Sequence, residues 1–425
     1  MKISLRLTYF SVVTSLLFFS CSTDDDIIDP DPGQELTVPS TYVFERGGQN
    51  TVRIPGQMER IRMGEEIIEA FLDFDALDAN TALLDNMFMN ENNAFIEAAL
   101  NSSSRQIRNT VASSEDLFEA DNAPLGASAS VILRAQFDSY IDGQIDDVRV
   151  NRNRAAAAGV SGQIADGTST RYVDGRGVEF NQIFTKGLIG GLMVDQIVNN
   201  YISASLLDQG TNREDNDNEI PRNDSGTDTQ MEHFWDEAYG YIYGNSQNVA
   251  NPNPTIGDDD RYLNRYVGLV DRDPDFNGIA QRIFEAFTTG RAAISQGFYD
   301  IRDEQTTILR EEIAIVLGVR AVFYLQSGRR ELEAGNTGGA FHDISEGLGF
   351  IVSLQFARTP NSPNNAPITY FTGGEVQEFI DRLLSTNTVD TNGLWDVTSE
   401  ILNEVSEDIA ARFDFTVEQA GDNQN

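Results

Sequence analysis

The chain has 425 residues, 30 basic against 67 acidic, a formal net charge of −37 and a single cysteine. So acidic a surface repels nucleic acid and anionic lipid, which excludes both as partners of the body, and it favours cations. One thiol allows neither an internal disulfide nor a thiolate metal cluster, while 40% hydrophobic content over this length is ample for a large core.

At the N-terminus, Lys2 and Arg6 precede an apolar run from Leu7 to Phe19, and Ser20 leads into Cys21. This is the layout of a secretory signal peptide over residues 1–20, with a run too short to span a bilayer comfortably. Leu17-Phe18-Phe19-Ser20-Cys21 resembles a bacterial lipobox. Ser22-Thr23-Asp24-Asp25-Asp26 resembles the acidic tag of Bacteroidetes lipoproteins exported to the outer face of the outer membrane. The resemblance implies lipidation at Cys21, outer-membrane lipid as the partner of that anchor, and a body facing outward. Residues 21–40, rich in Pro and Asp without periodicity, read as a disordered acidic tether. Removing residues 1–20 takes away Lys2 and Arg6, so 28 basic residues remain against 67 acidic ones. Lys186 is then the one lysine left.

The body opens with a predicted hairpin: Tyr42-Val43-Phe44 and Thr51-Val52-Arg53-Ile54 flank Gly47-Gly48-Gln49-Asn50. Apolar residues at three- and four-residue spacing then predict helices over 58–77, 94–100 and 128–158. Residues 159–176, rich in Gly, Ser and Asp, read as a loop. Residues 180–207 read as one long helix whose apolar stripe is interrupted by Gln196 and Asn200, placed there for hydrogen bonding between helices rather than to line a pocket. A polar loop over 208–229 follows, then helices over 231–243, 277–301, 305–327, 338–357, 374–384 and 394–412. The expectation is an all-α fold: one helical bundle domain over 41–415 with a small N-terminal β-hairpin, then a flexible tail over 416–425. Asp273-Pro274-Asp275 resembles half a calcium loop, but its spacing fits an acidic helix start better.

Only two histidines exist, and both stand in one phrase. His233-x-x-x-Glu237-x-x-Gly240-Tyr241-Ile242 and His342-x-x-x-Glu346-x-x-Gly349-Phe350-Ile351 share the pattern His-x-x-x-Glu-x-x-Gly-aromatic-Ile. The repetition points to an internal duplication of a helix–loop–helix unit, about residues 178–270 and 303–390. Positions i, i+4 and i+8 stack on one helical face, so each phrase makes a His–Glu–aromatic column. The two glycines cost roughly 1 kcal/mol each in a helix, which close approach by a neighbouring helix or ligand would offset. Were the units related by a pseudo-twofold axis, His233, Glu237, His342 and Glu346 would face one another and suit iron, zinc or another divalent metal, with Asp236 and Asp343 nearby. The alternative is a structural polar core in which Arg291 and Arg320 neutralise the carboxylates.

The phrases also carry a family resemblance. Met231-Glu-His-Phe-Trp-Asp-Glu-Ala-Tyr-Gly-Tyr241, Lys186-Gly-Leu-Ile-Gly-Gly-Leu-Met-Val-Asp-Gln196 and Phe341-His-Asp-Ile-Ser-Glu-Gly-Leu-Gly-Phe-Ile351 resemble a Bacteroidetes lipoprotein family known as domain of unknown function 4856. So do Tyr42-Val-Phe-Glu-Arg46 and Arg320-Ala-Val-Phe-Tyr-Leu-Gln-Ser-Gly328. More distantly the pattern is similar to imelysin-like proteins, which are helical, duplicated and linked to iron uptake; here the carboxylate follows His by four residues instead of three. The resemblance implies a surface lipoprotein that binds a cation or an iron-bearing ligand, with an outer-membrane importer or a partner lipoprotein to receive it. The alternatives are a scaffold without a small-molecule site and, last, a metallopeptidase-like enzyme. The sequence contains no His-Glu-x-x-His, Gly-x-Ser-x-Gly or phosphate-binding glycine loop to support catalysis.

Overall fold

The computed structural model describes residues 35–121, 123–223, 226–363, 366–385 and 392–422. The expected signal peptide, Cys21 and the tether as far as residue 34 lie outside the described residues. Helices build the described chain, as the three- and four-residue spacing predicts. Two small antiparallel hairpins are its only sheets among the described residues, and no described helix is long and apolar enough to cross a membrane.

A first hairpin forms at the expected place but shorter and tighter: Glu45–Arg46 pairs with Gln49–Asn50, so the strands lie inside the expected 42–44 and 51–54, and Gln49 and Asn50 belong to a strand instead of the turn. Gly47 and Gly48 both have positive φ, as its two-residue turn requires, and Thr51 N–H to Phe44 O at 2.9 Å continues the ladder. The second hairpin, Gly162–Asp166 with Ser169–Val173, overturns the loop expected over 159–176. Only Gly162 and Val173 are buried in it, so it carries no apolar alternation to read.

At the centre runs Tyr299–Glu333, 35 residues and about 50 Å long. Its middle is buried all round, which explains the weak amphipathic signal. Ile279–Ser295, Thr337–Leu354, Ser399–Ala410 and Val417–Gly421 pack against it. The expected break between 301 and 305 falls earlier, at Gly297, whose φ of +77° ends the preceding helix. Further boundaries shift for local reasons. The helix expected over 94–100 is replaced by Leu83–Met89, which stops at left-handed Asn90, and a single turn at Ala98–Asn101. The helix expected over 128–158 starts at Gly126 and ends by Asn151. The helix Leu263–Arg272 was not expected. Val417–Gly421 corrects the expected flexible tail: Thr416 and Gln419 form a capping box, and Arg330 Nη1 donates to Gly421 O at 2.7 Å.

The stretch expected as one helix over 180–207 is helical but not uniform. Phe180–Leu188 is α-helical, Ile189–Val194 and Ile197–Tyr201 widen into π-helical turns, and Ala204–Leu207 is a short α segment. A side chain from another helix accounts for the first widening. Ser353 Oγ accepts from Gly190 N–H at 2.9 Å and donates to Lys186 O at 2.7 Å. Those two backbone groups would otherwise bond to each other in an α-turn, so the hydroxyl is inserted into the ladder.

Buried carboxyls give the fold a pH signature. Asp195 accepts from Ser113 N–H and Ser114 N–H at 3.0 Å each and from Ser114 Oγ at 2.6 Å. Burial nevertheless pushes its carboxyl up to about 7, and pushes Asp260 up to about 8. Between about pH 4 and these values the folded state holds protons that the unfolded chain has released, so stability falls as pH rises through that window. The thermal unfolding midpoint is therefore expected to be higher near about pH 5.5 than near about pH 8, and D260N, which keeps the oxygen that accepts from Tyr262 N–H, is expected to flatten the difference.

Candidate functional site

The second phrase lies on Thr337–Leu354, whose first turn is capped by Asn336 Oδ1 accepting from Gly339 N–H at 3.2 Å. His342, Asp343 and Glu346 each offer one ligand atom, and these atoms all lie within 4.8 Å of one another. His342 and Asp343 are half-buried and reachable from solvent, while Glu346 is buried. The neighbouring stretch supplies the partners. Glu179, just ahead of Phe180–Leu188, places Oε2 at 3.1 Å from His342 Nδ1, and its buried Oε1 has no hydrogen-bond partner. One turn into the helix and beyond, Lys186 Nζ lies 2.9 Å from Glu346 Oε1 and 3.0 Å from Gln182 Oε1. The helices meet closely because position 349 is glycine: a Cβ there would lie 2.5 Å from Lys186 Cβ.

The charges act on one another. Burial would lower the pKa of His342, but its bond to Glu179 and the charges of Glu179 and Glu346 raise it above the ordinary value. Burial, with the Glu346 charge beside it, pushes Asp343 up to about 6. Burial acts in the same direction on Glu346, yet Lys186 and His342 hold that carboxyl below its usual range.

The first phrase lies on Gln230–Tyr243, where Thr229 and Glu232 form a capping box. His233 Nδ1 is 3.7 Å from Asp228 Oδ2 and Nε2 is 3.7 Å from Glu237 Oε1, too long for hydrogen bonds. Burial lowers the pKa of this imidazole. Glu237 accepts from Gln57 Nε2 at 3.0 Å, and Gly240 again marks a close approach, here by Ile54 and Gln57. The two surroundings match in kind. Tyr201 stacks on Tyr241 at 6.3 Å beside Glu237, as Tyr324 stacks on Phe350 at 5.7 Å beside Glu346. A buried cation faces each carboxylate, Arg60 in the first and Lys186 in the second.

The two columns do not face each other, which corrects the four-residue site expected from the sequence. The second column meets the 179–201 stretch at Glu179 and Lys186, the first at Tyr201. Fifteen residues separate Lys186 from Tyr201, roughly 20 Å along a helix axis. The structure therefore unites His342 and Glu346 with Asp343, and leaves His233 and Glu237 elsewhere.

The remaining candidates fall into structural roles. Arg291 is fully buried on another side of Gln230–Tyr243, away from the His–Glu columns. It donates from Nε to Asp236 Oδ1 at 3.0 Å, from Nη1 to Glu232 Oε1 at 2.9 Å and from Nη2 to Thr51 Oγ1 at 3.0 Å. Asp236 also accepts from Tyr42 Oη at 2.8 Å, and Arg46 grips Glu232 at 2.9 and 3.0 Å. Burial pushes Asp236 up to about 7 against the pull of Arg291. Glu232, with Arg46 as a second cation, is held at about 2 despite its burial. This cluster locks the N-terminal hairpin onto the bundle. Arg320 was expected to neutralise a carboxylate; instead its guanidinium lies 4.0 Å from the Phe323 ring centroid and 4.6 Å from that of Tyr324. Gln196 donates to Ser113 Oγ at 3.2 Å and Asn200 Oδ1 accepts from Glu115 N–H at 3.4 Å, so both bond to a neighbouring segment, Gln196 to a loop residue instead of a helix; the 2.9 Å bond from Asn200 Nδ2 to Gln196 Oε1 stays within their own stretch.

Sequence reasoning missed Glu179 and Lys186 as site residues. Lys186 carried a signal, being the one lysine left after the first twenty residues; Glu179 carried none. For the Arg291 cluster, R291M strips buried Asp236 of its cation and leaves Glu232 with Arg46 alone, and is expected to cost about 3–5 kcal/mol in urea denaturation. Adding D236N is expected to return part of that loss.

No curated protein and no solved structure matches the chain. The family model described as domain of unknown function DUF4856 matches residues 39–416, which is most of the sequence and of the helical body described above, and the chain belongs to that family.

Proposed function

We propose that the protein is an outer-membrane lipoprotein, anchored through Cys21 and facing outward, that binds a divalent transition-metal cation, iron among them, at His342, Asp343 and Glu346. The observation that carries this reading is the convergence of one imidazole and two carboxylates within 4.8 Å. Ligands bonded to one ion at about 2.1 Å sit no more than roughly 4.2 Å apart, so the cluster has to contract by only about half an ångström. Glu179 on the Nδ1 side of His342 supports it. A carboxylate there fixes the ring and leaves Nε2 to bind metal, the common arrangement around metal-bound histidine. The orphaned Oε1 of Glu179 adds unsatisfied negative character beside the cluster. An imidazole in the ligand set favours transition metals over calcium or magnesium. The role proposed is capture and hand-over to an importer, imelysin-like in kind, with no catalytic step assigned.

A second reading rests on one observation. Lys186 already neutralises Glu346 at 2.9 Å, as expected of a scaffold whose polar core is complete without an ion. The two readings separate by titration of zinc(II) and iron(II) into the purified protein. H342A is expected to abolish binding and E179Q to weaken it about 10–100-fold. K186M, by freeing Glu346, is expected to strengthen it. Metal uptake unchanged by H342A contradicts the binding reading, as does K186M that loses stability and gains no affinity. For the anchor, C21S is expected to shift the protein from the membrane fraction to the soluble fraction.

A further inference from the structure

Arg310 is set apart from the other buried arginines. It lies on Tyr299–Glu333 with 4% of its surface exposed, and its Nε and Nη2 have no hydrogen-bond partner among the described residues. Among the described residues its one hydrogen bond is a long one, Nη1 to Ser362 O at 3.5 Å. Nε and Nη2 form one edge of the guanidinium, the edge that takes a carboxylate or phosphate through two parallel bonds. In this chain Arg108 uses that edge on Asp138, at 2.8 and 2.6 Å.

That edge has no accessible surface of its own, but Arg310 lines open space. A cleft of about 210 Å³ is lined by Arg310 together with Asp303, Thr306, Thr307, Asn361 and Ser362. The nearby charges leave a positive remainder. Arg358 is fully buried and pairs with Asp116, which also accepts from Ser203 and Ser205. Asp303 is held by Arg302 at 2.8 Å, and Arg302 also grips Asp208 at 2.6 Å. Arg213 gives Asp208 a second cation at 2.9 Å. Among the described residues Arg310 thus has no carboxylate of its own. Burial and the charge of Arg358 lower its pKa to about 9, which still leaves it protonated at neutral pH. A buried cation with two idle donors destabilises a fold unless something meets it.

We propose that the cleft at Arg310 is a binding site for a small oxyanion, toward which the guanidinium turns its idle Nε–Nη2 edge to hold two acceptor oxygens, with Thr306, Thr307 and Asn361 as flanking polar groups. About 210 Å³ accommodates a phosphate or a short carboxylic acid and is too small for a nucleotide or an oligosaccharide. The site is independent of the cation cluster and shares no residue with it.

Thermal unfolding and calorimetric titration with inorganic phosphate and, separately, with succinate test this at matched ionic strength. One of the two anions is expected to raise the unfolding midpoint and give saturable heat, and which one does so identifies the ligand chemistry. R310M is expected to abolish the response while unfolding at a higher temperature than the parent without anion, because the idle charge is gone. R310K, which keeps the charge and loses the fork, is expected to bind at least about tenfold more weakly. Absence of any anion response in the parent protein overturns the proposal, and so does a response that R310M or R310K retains in full.

Discussion

Much of the candidate site depends on how closely the 180–201 stretch crosses Thr337–Leu354. Gly349 removes the side chain that would keep them apart, and Ser353 puts its hydroxyl where a backbone hydrogen bond would be, between Lys186 O and Gly190 N–H. That exchange keeps both backbone groups satisfied while opening the first helix by a residue per turn. The crossing also fixes register. With Gly349 against Ile183 and Lys186, the Lys186 ammonium falls on Glu346, and Glu179 at the helix start falls on His342. A bulkier residue at 349 would move both contacts together, so the roughly 1 kcal/mol a glycine costs inside a helix is offset by a contact that no other residue permits.

The two histidine phrases show how one pattern serves two environments. Each has a tyrosine stacked on the aromatic of the column, a buried cation facing the carboxylate, and a glycine under a neighbouring segment. Beyond that they diverge. The His233 ring has no hydrogen bond and a lowered pKa, and the nearest acid beyond Glu237, Asp228, is bonded to Arg222 at 2.7 Å. The His342 ring is bonded to Glu179 and flanked by Asp343, an acid the first phrase replaces with Phe234. Phe234 lies 6.4 Å from the Tyr201 ring and belongs to the aromatic packing around the first column. The frames match in kind, and the differing charges around them explain why, among the described residues, the second column gathers three donor groups and the first does not.

Helix content and the N-terminal hairpin were legible because they are written in local terms: spacing, and a Gly-Gly turn. The second hairpin was not, since neither of its strands alternates polar with apolar residues. The π-helical widening was not either, for its cause, Ser353, lies about 160 residues away. At the site, the sequence singled out the second phrase with Asp343 nearby, and the structure brings donor atoms of His342, Asp343 and Glu346 within 4.8 Å of one another, but the sequence placed all four columnar residues together. Which way a column faces depends on the path of the helix beneath it, and that path is set by tertiary packing around Tyr299–Glu333. Arg291 illustrates the same gap. Its position in an apolar stretch announced a buried charge, while its partners, Glu232 and Asp236, became clear only once Gln230–Tyr243 was seen beside Ile279–Ser295.

The central claim is that His342, Asp343 and Glu346 hold one cation at this crossing. Anomalous diffraction at the zinc or iron edge from crystals grown with the metal tests it directly. One strong peak is expected within bonding distance, about 2.0–2.2 Å, of His342 Nε2 and of carboxylate oxygens of Asp343 and Glu346, with the Lys186 ammonium turned away. A peak elsewhere, or none with Lys186 still on Glu346, would contradict it.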